Sequence, residues 1–283
     1  FGMVHQSIIE YDIVLGNGEL ITVSPSSHAD LFYGNFWALG TIGIITRVKV
    51  KIIKCKPYVD LHYHHFGSFS EYNNALKTYL KDVKRFDYIE GVQLSKYEYV
   101  LITGVESDDM NNKKLYRNKL WYHKWFISHL QDKCKNDYCG DTMRIKEYFF
   151  RWDRGIFWLG LLKMNPTFIK RIMFGWLFDM ETHHTADRFK KDNNNEKRRI
   201  LTDVGPPLSK LGEMTAYNDE KLGVYPIWHL PFRLFPNKHH IFSADNRSSK
   251  YADRIMIDYG IYGIPANKDF SVVGVNREIE KKV

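Results

Sequence analysis

The segment Gly40-Thr41-Ile42-Gly43-Ile44-Ile45 has the composition of a turn that runs directly into a strand. Because glycine has no Cβ, glycines at this spacing let backbone N–H groups approach a phosphate or the edge of a base. The segment lacks the glycine pattern of a Rossmann fold and the Gly-Lys-Ser/Thr of a P-loop. Its chemistry would be backbone recognition of a ligand, and a plain turn is the alternative.

The elements around this segment are short. The sequence before it predicts a β-hairpin, whose strands and turn are Ser7–Leu15, Glu19–Val23 and Gly16-Asn17-Gly18. A short helix carrying Asp30-Leu31-Phe32 is predicted to be capped by Ser26 or Ser27. After Gly40 the apolar residues alternate with cations, as in Arg47, Val48, Lys49 and Val50. This alternation predicts a half-buried strand with a basic outer face.

Pro57 is predicted to mark a domain boundary, and the sequence beyond it mixes helical and strand patterns. Ser68–Phe86 and Leu120–Leu130 predict helices. Strands are predicted at Tyr88–Gln93, Val100–Val105, Gly223–Leu234 and Arg254–Tyr262. The order predicts an α+β fold in which the tail of one domain precedes a second domain.

Composition limits the classes of partner. The net charge of +8 comes from scattered cations without a zinc-finger, RNP or basic-helix pattern, which argues against nucleic acid. Three cysteines, Cys55, Cys134 and Cys139, fit no metal motif and favour a reducing compartment. The apolar stretches Ile156–Leu162 and Phe174–Phe178 are too short to span a bilayer but could lie on a membrane surface.

Several motifs carry a family resemblance. Asp30-Leu31-Phe32-Tyr33, Trp37 and Gly40–Ile45 together resemble the PCMH-type flavin-binding module of the vanillyl-alcohol oxidase family, and within it the Δ24-sterol reductases. Further motifs resemble those reductases in the same order along the sequence: Tyr88-Ile89-Glu90-Gly91, Thr103-Gly104-Val105, Trp125-Phe126 with His129, 154–158, Phe174-Gly175-Trp176, 225–228, Pro231-Phe232 and 258–265. The resemblance covers essentially all of the sequence.

The resemblance implies a domain organisation and two cofactors. Residues 1–56 would be the C-terminal part of a PCMH-type FAD-binding domain, and residues 57–283 a cap, or substrate, domain that is incomplete at its C-terminus. NADPH would reduce FAD, which would pass a hydride to a C=C bond in the side chain of a sterol. Because an isolated alkene accepts hydride poorly, a general acid should protonate its less substituted carbon.

The resemblance also suggests which residues form the site. The proton donor is expected among Asp258, Tyr262 and Tyr225, with Asp203 as a further candidate. His229 is also a candidate by its chemistry, although it stands where the family pattern has leucine. Residues expected to contact FAD are Trp37, Gly40, Thr41, Ile42, Gly43, Ile44 and Ile45. Trp158, Trp228 and Phe232 are expected to line the sterol pocket, although core packing is the alternative for each.

Two departures from the family pattern accompany these matches. The segment 148–152, Tyr-Phe-Phe-Arg-Trp, lacks two histidines of the reductases, and Leu159 replaces a glutamate. The resemblance places the phosphate-binding loop before the segment that Phe1-Gly2 matches, and a further stretch after Glu278–Val283. The 283 residues alone are therefore expected to hold FAD weakly or not at all and to be inactive.

Two other functions stay open. One is a flavin-dependent oxidase of an alcohol or a sugar, and the other is a non-catalytic lipid- or membrane-binding fragment. We expect membrane association through an N-terminal segment outside the 283 residues or through an apolar surface. The expected location is the cytosolic side of the endoplasmic reticulum membrane, with the cytoplasm as the alternative.

Overall fold

The computed structural model describes residues 4–38, 40–82, 84–110, 114–133, 140–180, 199–233, 255–265 and 270–282. The protein forms two compact units. The first contains Phe1–Lys54 and Phe232–Met256, and the second contains Cys55–Pro231 and Ile257–Val283. Both helices and antiparallel sheets are present, so the mixed α and β character predicted from the sequence is confirmed. The identity of either unit as a flavin or cap domain stays a prediction.

The first unit contains a three-stranded antiparallel sheet in the order β2-β1-β3, formed by β1 (Ile8–Leu15), β2 (Leu20–Val23) and β3 (Gly43–Val50). The predicted hairpin is therefore confirmed, and Gly18 supplies a positive φ of 84° at its turn. Helix α1 (Ala29–Gly34) packs Phe32 against Tyr11, whose hydroxyl donates to the Phe32 carbonyl oxygen at 2.8 Å. This contact ties the helix to the hairpin.

Two predictions for the first unit are wrong. Helix α1 is not capped by Ser26 or Ser27, because it follows His28, whose backbone is left-handed at φ 53°. The amide of Ser27 donates instead to the hydroxyl of Ser24. Strand β3 is not half-buried, since Val48 and Val50 are 42% and 48% exposed. The buried cluster of this unit lies on β1, β2 and α1 and does not extend to β3, an edge strand.

Most of a seven-stranded sheet, in the order β7-β4-β6-β5-β9-β10-β8, belongs to the second unit; the end of one strand, residues 232–233, and the start of another, residues 255–256, are assigned to the first. Its strands are β4 (Tyr58–Phe66), β5 (Tyr88–Ser95), β6 (Glu98–Ser107), β7 (Gly140–Arg144), β8 (Ile200–Val204), β9 (Ile227–Arg233) and β10 (Ile255–Gly263). The strands predicted near β5, β6, β9 and β10 are confirmed with small shifts of their ends. β9 begins at Ile227 because the preceding residues end a helical segment at Gly223, which is left-handed.

The helices of the second unit are α2 (Phe69–Lys81), α3 (Phe126–Lys133), α4 (Ile145–Phe149), α5 (Phe168–Phe174), α6 (Leu211–Tyr217) and α7 (Val272–Lys282). Helix α2 begins as predicted, because the Ser68 hydroxyl accepts from the Glu71 amide. Helix α3 begins later than predicted, since Leu120 and His123 bond each other in a separate turn. Within the described ranges, no helix is long and apolar enough to cross a bilayer.

The two faces of the seven-stranded sheet are covered by different segments. Tyr72 of α2 packs on one face, where its hydroxyl lies 3.0 Å from Nδ1 of His229. An aromatic segment containing Trp152, Phe157 and Trp158 packs on the other, against Trp228. Because neighbouring residues of a strand point to opposite faces, His229 and Trp228 belong to different layers. This division decides which candidate site residues can meet.

Candidate functional site

Strand β10 presents two polar side chains on one face. Asp258 and Tyr262 are four residues apart, so both point to the face covered by the aromatic segment. They are the partly accessible residues of β10, whose other members are buried. The sequence prediction that grouped these two residues therefore agrees with their placement on a common surface.

Asp203 on β8 lies between them. It pairs with Gly260 across the β8–β10 ladder, and the Tyr262 hydroxyl reaches over Gly260 to donate to Oδ1 of Asp203. A Cβ at position 260 would lie 2.9 Å from the Tyr262 hydroxyl and 3.0 Å from Asp203 Oδ1. Glycine at this position therefore lets the phenol and the carboxylate meet above the strand.

The protonation of this group is set by burial and by mutual repulsion. Burial raises the pKa of Asp258 from 3.8 to about 7, and the nearby Asp203 carboxylate adds to the rise. Partial desolvation raises the pKa of Asp203, and the hydrogen bond from Tyr262 lowers it; the residue remains largely open to solvent, which limits both effects. Burial and Asp203 raise the pKa of Tyr262. Asp258 can hold a proton near neutral pH.

Aromatic rings surround the Tyr262 end of this group. The ring of Phe157 lies 5.4 Å from the ring of Tyr262 and 5.5 Å from that of Trp228. Trp158 is 2% exposed, and its Nε1 donates to the Tyr262 carbonyl oxygen at 3.0 Å. Trp158 is therefore a core residue that packs against Tyr262. Trp228 is half-buried.

A buried ion pair of Glu90 and Arg151 lies beside these aromatic residues. The sequence motifs did not assign it to the site. Glu90 of β5 is 2% exposed, and it accepts from Arg151 and, at 3.0 Å, from Nε1 of Trp228. Burial by itself lowers the pKa of Arg151, but Glu90 together with Tyr148 and Tyr63 outweighs it, and the pKa stays above its ordinary value. The sequence gives one indication of this pair: a glutamate lies between apolar residues of a predicted strand, and an arginine lies among aromatic residues.

Tyr225 and His229 lie away from this group. The Tyr225 hydroxyl donates to Oδ1 of Asp219 at 2.5 Å, and Gln93 donates to the same oxygen at 2.9 Å from the opposite face of the sheet. His229 is fully buried on that face, and burial lowers its pKa to about 3. Its placement is that of a neutral core residue. Phe232 is half-buried and lies on the Trp228 face of β9 by alternation.

The segment predicted to contact FAD lies at the surface of the first unit. Gly40 adopts φ 76°, while a Cβ at Gly43 would lie 2.6 Å from the Val14 carbonyl oxygen, so both glycines have a structural role there. Thr41, Ile42, Ile44 and Ile45 are exposed, and Trp37 ends a short 3-10 helix. The outer edge of β3 offers backbone groups, and residues 40–50 contain no carboxylate, which fits an anionic ligand.

Comparisons with known proteins add an independent observation. No family model matches the sequence. It is 27% identical over 293 residues to the Delta(24)-sterol reductase of Macaca fascicularis, covering 100% of this chain and 55% of that protein. The Delta(24)-sterol reductase of Arabidopsis thaliana is 27% identical over 293 residues, covering 94% of this chain and 51% of its own length.

A shorter similarity reaches a second kind of protein. Cytokinin dehydrogenase 5 of Oryza sativa subsp. japonica is 34% identical over 88 residues, or 30% of this chain and 16% of that protein. The 283 residues span about half the length of the curated sterol reductases they match. The resemblance to the Δ24-sterol reductases predicted from the motifs is confirmed.

Proposed function

We propose that this protein supplies the proton-donating part of an FAD-dependent oxidoreductase that uses NADPH to reduce a double bond in the side chain of a sterol. The single observation that carries the proposal is the placement of Asp258 near Asp203 on the face of β10 that it shares with Tyr262, where burial raises the pKa of its carboxyl to about 7. The similarity to sterol reductases supports the substrate class. Because the 283 residues span about half of those relatives, the activity is proposed for the complete gene product.

Asp258 would act as the general acid. Its Oδ proton goes to the less substituted alkene carbon, and the resulting carboxylate regains a proton from solvent, to which Asp258 is partly open. Asp203 holds this proton in place before the reaction, because two adjacent carboxylates resist simultaneous ionisation. Tyr262 donates to Asp203 and keeps that carboxylate from swinging away.

The aromatic residues would position the sterol. Trp228 and Phe232, which are half-buried on one face of β9, offer a flat apolar surface suited to a fused ring system. Trp158 would act indirectly by supporting Tyr262. Glu90 would keep the Trp228 ring oriented through the hydrogen bond from Nε1.

FAD, when bound, supplies the hydride, and NADPH supplies the electrons that FAD passes on. We propose that the backbone of Gly40–Ile45 and Trp37 contacts its adenine and pyrophosphate. In this interpretation residues 1–56 are part of a PCMH-type flavin domain and residues 57–283 a cap domain. We also propose a location at the endoplasmic reticulum membrane, facing the cytosol, since sterols reside in lipid.

The experiment is a flavin absorbance spectrum of the complete gene product, recorded anaerobically before and after NADPH and then after a sterol bearing a side-chain alkene. We expect NADPH to bleach the flavin band and the sterol to restore it, with slow recovery in air. Rapid recovery in air with no response to the sterol would favour an alcohol or sugar oxidase. Absence of bound flavin would favour a non-catalytic lipid-binding protein.

A further inference from the structure

A cleft with a volume of about 240 Å³ opens at the surface of the second unit, beside β7 and α4. Its floor is Asn118, which is buried, and its rim is formed by exposed and half-buried side chains. Asp203, Asp258 and Tyr262 do not line it, so it is separate from the candidate site on β10. Because clefts for whole drug-sized ligands have volumes of roughly 300 to 1,000 Å³, this one suits a small molecule or one part of a larger one.

The carboxylates that line the cleft have partners within the protein. Asp179 accepts a hydrogen bond from Arg154, and Oε2 of Glu147 accepts from the Asn118 amide at 2.8 Å. Asp153 is not free either. Arg154 also donates to the carbonyl oxygen of the residue after Asn118, at 2.7 Å. These contacts hold separate segments of the chain together around the cleft.

Three cations on the rim have no such partner. Lys119, Arg144 and Lys146 are exposed, and their side chains form no hydrogen bond or ion pair with any residue in the part of the chain that the structure describes. The lining has four cations in all and three carboxylates, and the fourth cation, Arg154, is paired with Asp179. An anion that enters the cleft therefore meets cations that are available for charge-assisted hydrogen bonds, whereas the carboxylates are engaged.

The floor and one side of the cleft add two further requirements. Nδ2 of Asn118 donates to the Arg151 carbonyl oxygen at 2.6 Å, but Oδ1 accepts a hydrogen bond from none of the described residues, and Asn118 is only 4% exposed. A buried acceptor without a donor is unfavourable, and a ligand N–H or O–H that reaches it would remove that cost. Phe150 is 56% exposed, so its ring is available to stack on a flat group of the ligand.

We infer that this cleft binds a nucleoside phosphate. The phosphate contacts Lys119, Arg144 and Lys146. The base stacks on Phe150 and donates an N–H to Oδ1 of Asn118. A phosphate fits several unpaired cations better than a carboxylate does, because it carries nearly two negative charges and three acceptor oxygens at neutral pH. A base fits the rest of the cleft, because it combines a flat ring that stacks on aromatic side chains with N–H donors.

Two sources share this chemistry, a free nucleotide and the adenosine phosphate part of a dinucleotide such as NADPH. The inference goes beyond the proposed reaction, because nucleotide binding to the cleft requires neither flavin nor sterol. It also differs from the FAD contacts proposed for Gly40–Ile45, which lie in the first unit. Either proposal can fail while the other holds.

The test is isothermal titration calorimetry of the 283-residue protein with adenosine monophosphate and with ribose phosphate. We expect adenosine monophosphate to bind more tightly than ribose phosphate, which lacks the base, and its binding to weaken at high salt. The double variant Arg144→Gln and Lys146→Gln should lower its affinity by at least about tenfold, because two charge-assisted hydrogen bonds are lost. The matched control is Lys77→Gln and Lys81→Gln, which removes two exposed cations of α2. It should bind as the unchanged protein does.

Titration with NADP⁺ separates the two sources. Binding of NADP⁺ that is at least as tight as that of adenosine monophosphate, and that is lost in the Arg144→Gln, Lys146→Gln variant, would assign the cleft to a dinucleotide. Binding of adenosine monophosphate without binding of NADP⁺ would assign it to a free nucleotide. Both results support the inference.

A second measurement works on the unaltered protein. An azido derivative of adenosine monophosphate, activated by light, should label the tryptic peptide Glu147–Arg151, which contains Phe150, and excess adenosine monophosphate should prevent the labelling. The inference is overturned if adenosine monophosphate does not bind, if both double variants lose affinity equally, or if ribose phosphate binds as tightly as adenosine monophosphate. Labelling confined to Gly40–Ile45 would also overturn it, because the nucleotide would then occupy the first unit.

Discussion

At the scale of single residues, the two carboxyls of the candidate site differ because their surroundings differ. Asp258 is partly enclosed by the sheet and faces a second carboxylate, whereas Asp203 lies on an edge strand and receives the Tyr262 hydrogen bond. Burial without a compensating cation favours the neutral form of Asp258. The protonation of this one side chain should therefore be visible in the stability of the fold.

The pKa of Asp258 makes stability depend on pH. Because it rises from 3.8 to about 7 on folding, the folded state binds more protons than the unfolded state between these values. The contribution of Asp258 to stability should therefore fall as pH rises through this window, by at most about 1.4 kcal/mol per pH unit, with solvent screening reducing the slope. His229 opposes it, because burial lowers the pKa of its imidazole to about 3 and its contribution therefore rises with pH. Relative to the unchanged protein, Asp258→Asn should therefore gain stability in urea unfolding as pH rises through this window, and Asp82→Asn, an exposed carboxyl in the same unit, should show no such gain.

An added side chain at Gly260 is expected to displace its neighbours. Gly260→Ala would force the Tyr262 hydroxyl and the Asp203 carboxylate apart, and because both are ends of side chains that can shift, it should cost about 1 kcal/mol of unfolding free energy, the order of one hydrogen bond. Gly34→Ala is the control, since a Cβ there meets nothing within 4 Å. Equal thermal unfolding temperatures for Gly260→Ala and the unchanged protein would show that the contact between Tyr262 and Asp203 is absent.

The Glu90–Arg151 pair is expected to be sensitive to the loss of one partner. Glu90→Gln would leave the fully buried Arg151 without its counter-charge and should destabilise the protein by about 3 to 5 kcal/mol. The exposed pair of Lys210 and Glu213 provides the comparison, and Glu213→Gln should change stability by about 1 kcal/mol or less. Similar losses in the two variants, measured by urea unfolding, would contradict the buried geometry.

At the scale of elements, structure that depends on residues close in sequence could be predicted, whereas structure that depends on distant residues could not. Helix α2 could be predicted because Ser68, Glu71 and the buried stripe of Tyr72, Leu76 and Leu80 all lie within one segment. Strand β8 could not be predicted in the same way, because the surroundings of Asp203 arise only from pairing with β10, more than fifty residues later in the sequence.

The capping residues test this distinction directly. Ser68→Ala should cost about 1 kcal/mol, because the Glu71 amide loses its acceptor at the start of α2. Ser27→Ala, at the position that the sequence pattern also favours as a cap, should change stability by less than about 0.5 kcal/mol, since α1 follows His28. The reverse ranking in urea unfolding would show that α1 begins at the serine after all.

At the scale of the whole molecule, the two units contribute different features. The second unit contains Asp258, Tyr262 and Asp203 on neighbouring strands of one sheet, and the first contains the exposed segment Gly40–Ile45. The sequence motifs grouped Asp258 with Tyr262, which shares its face of β10, but also with Tyr225. The opposite faces of the sheet, which no motif reveals, separate Tyr225 from the other two. The proposed chemistry therefore rests on Asp258.

The most direct test is single-turnover reduction of a sterol bearing a side-chain alkene by the complete gene product, reduced beforehand with NADPH. Asp258→Asn should slow sterol reduction by at least about 100-fold, because an amide cannot deliver the proton. The rate at which NADPH bleaches the flavin should stay unchanged. Sterol reduction at the original rate in Asp258→Asn would contradict the assignment of Asp258 as the proton donor.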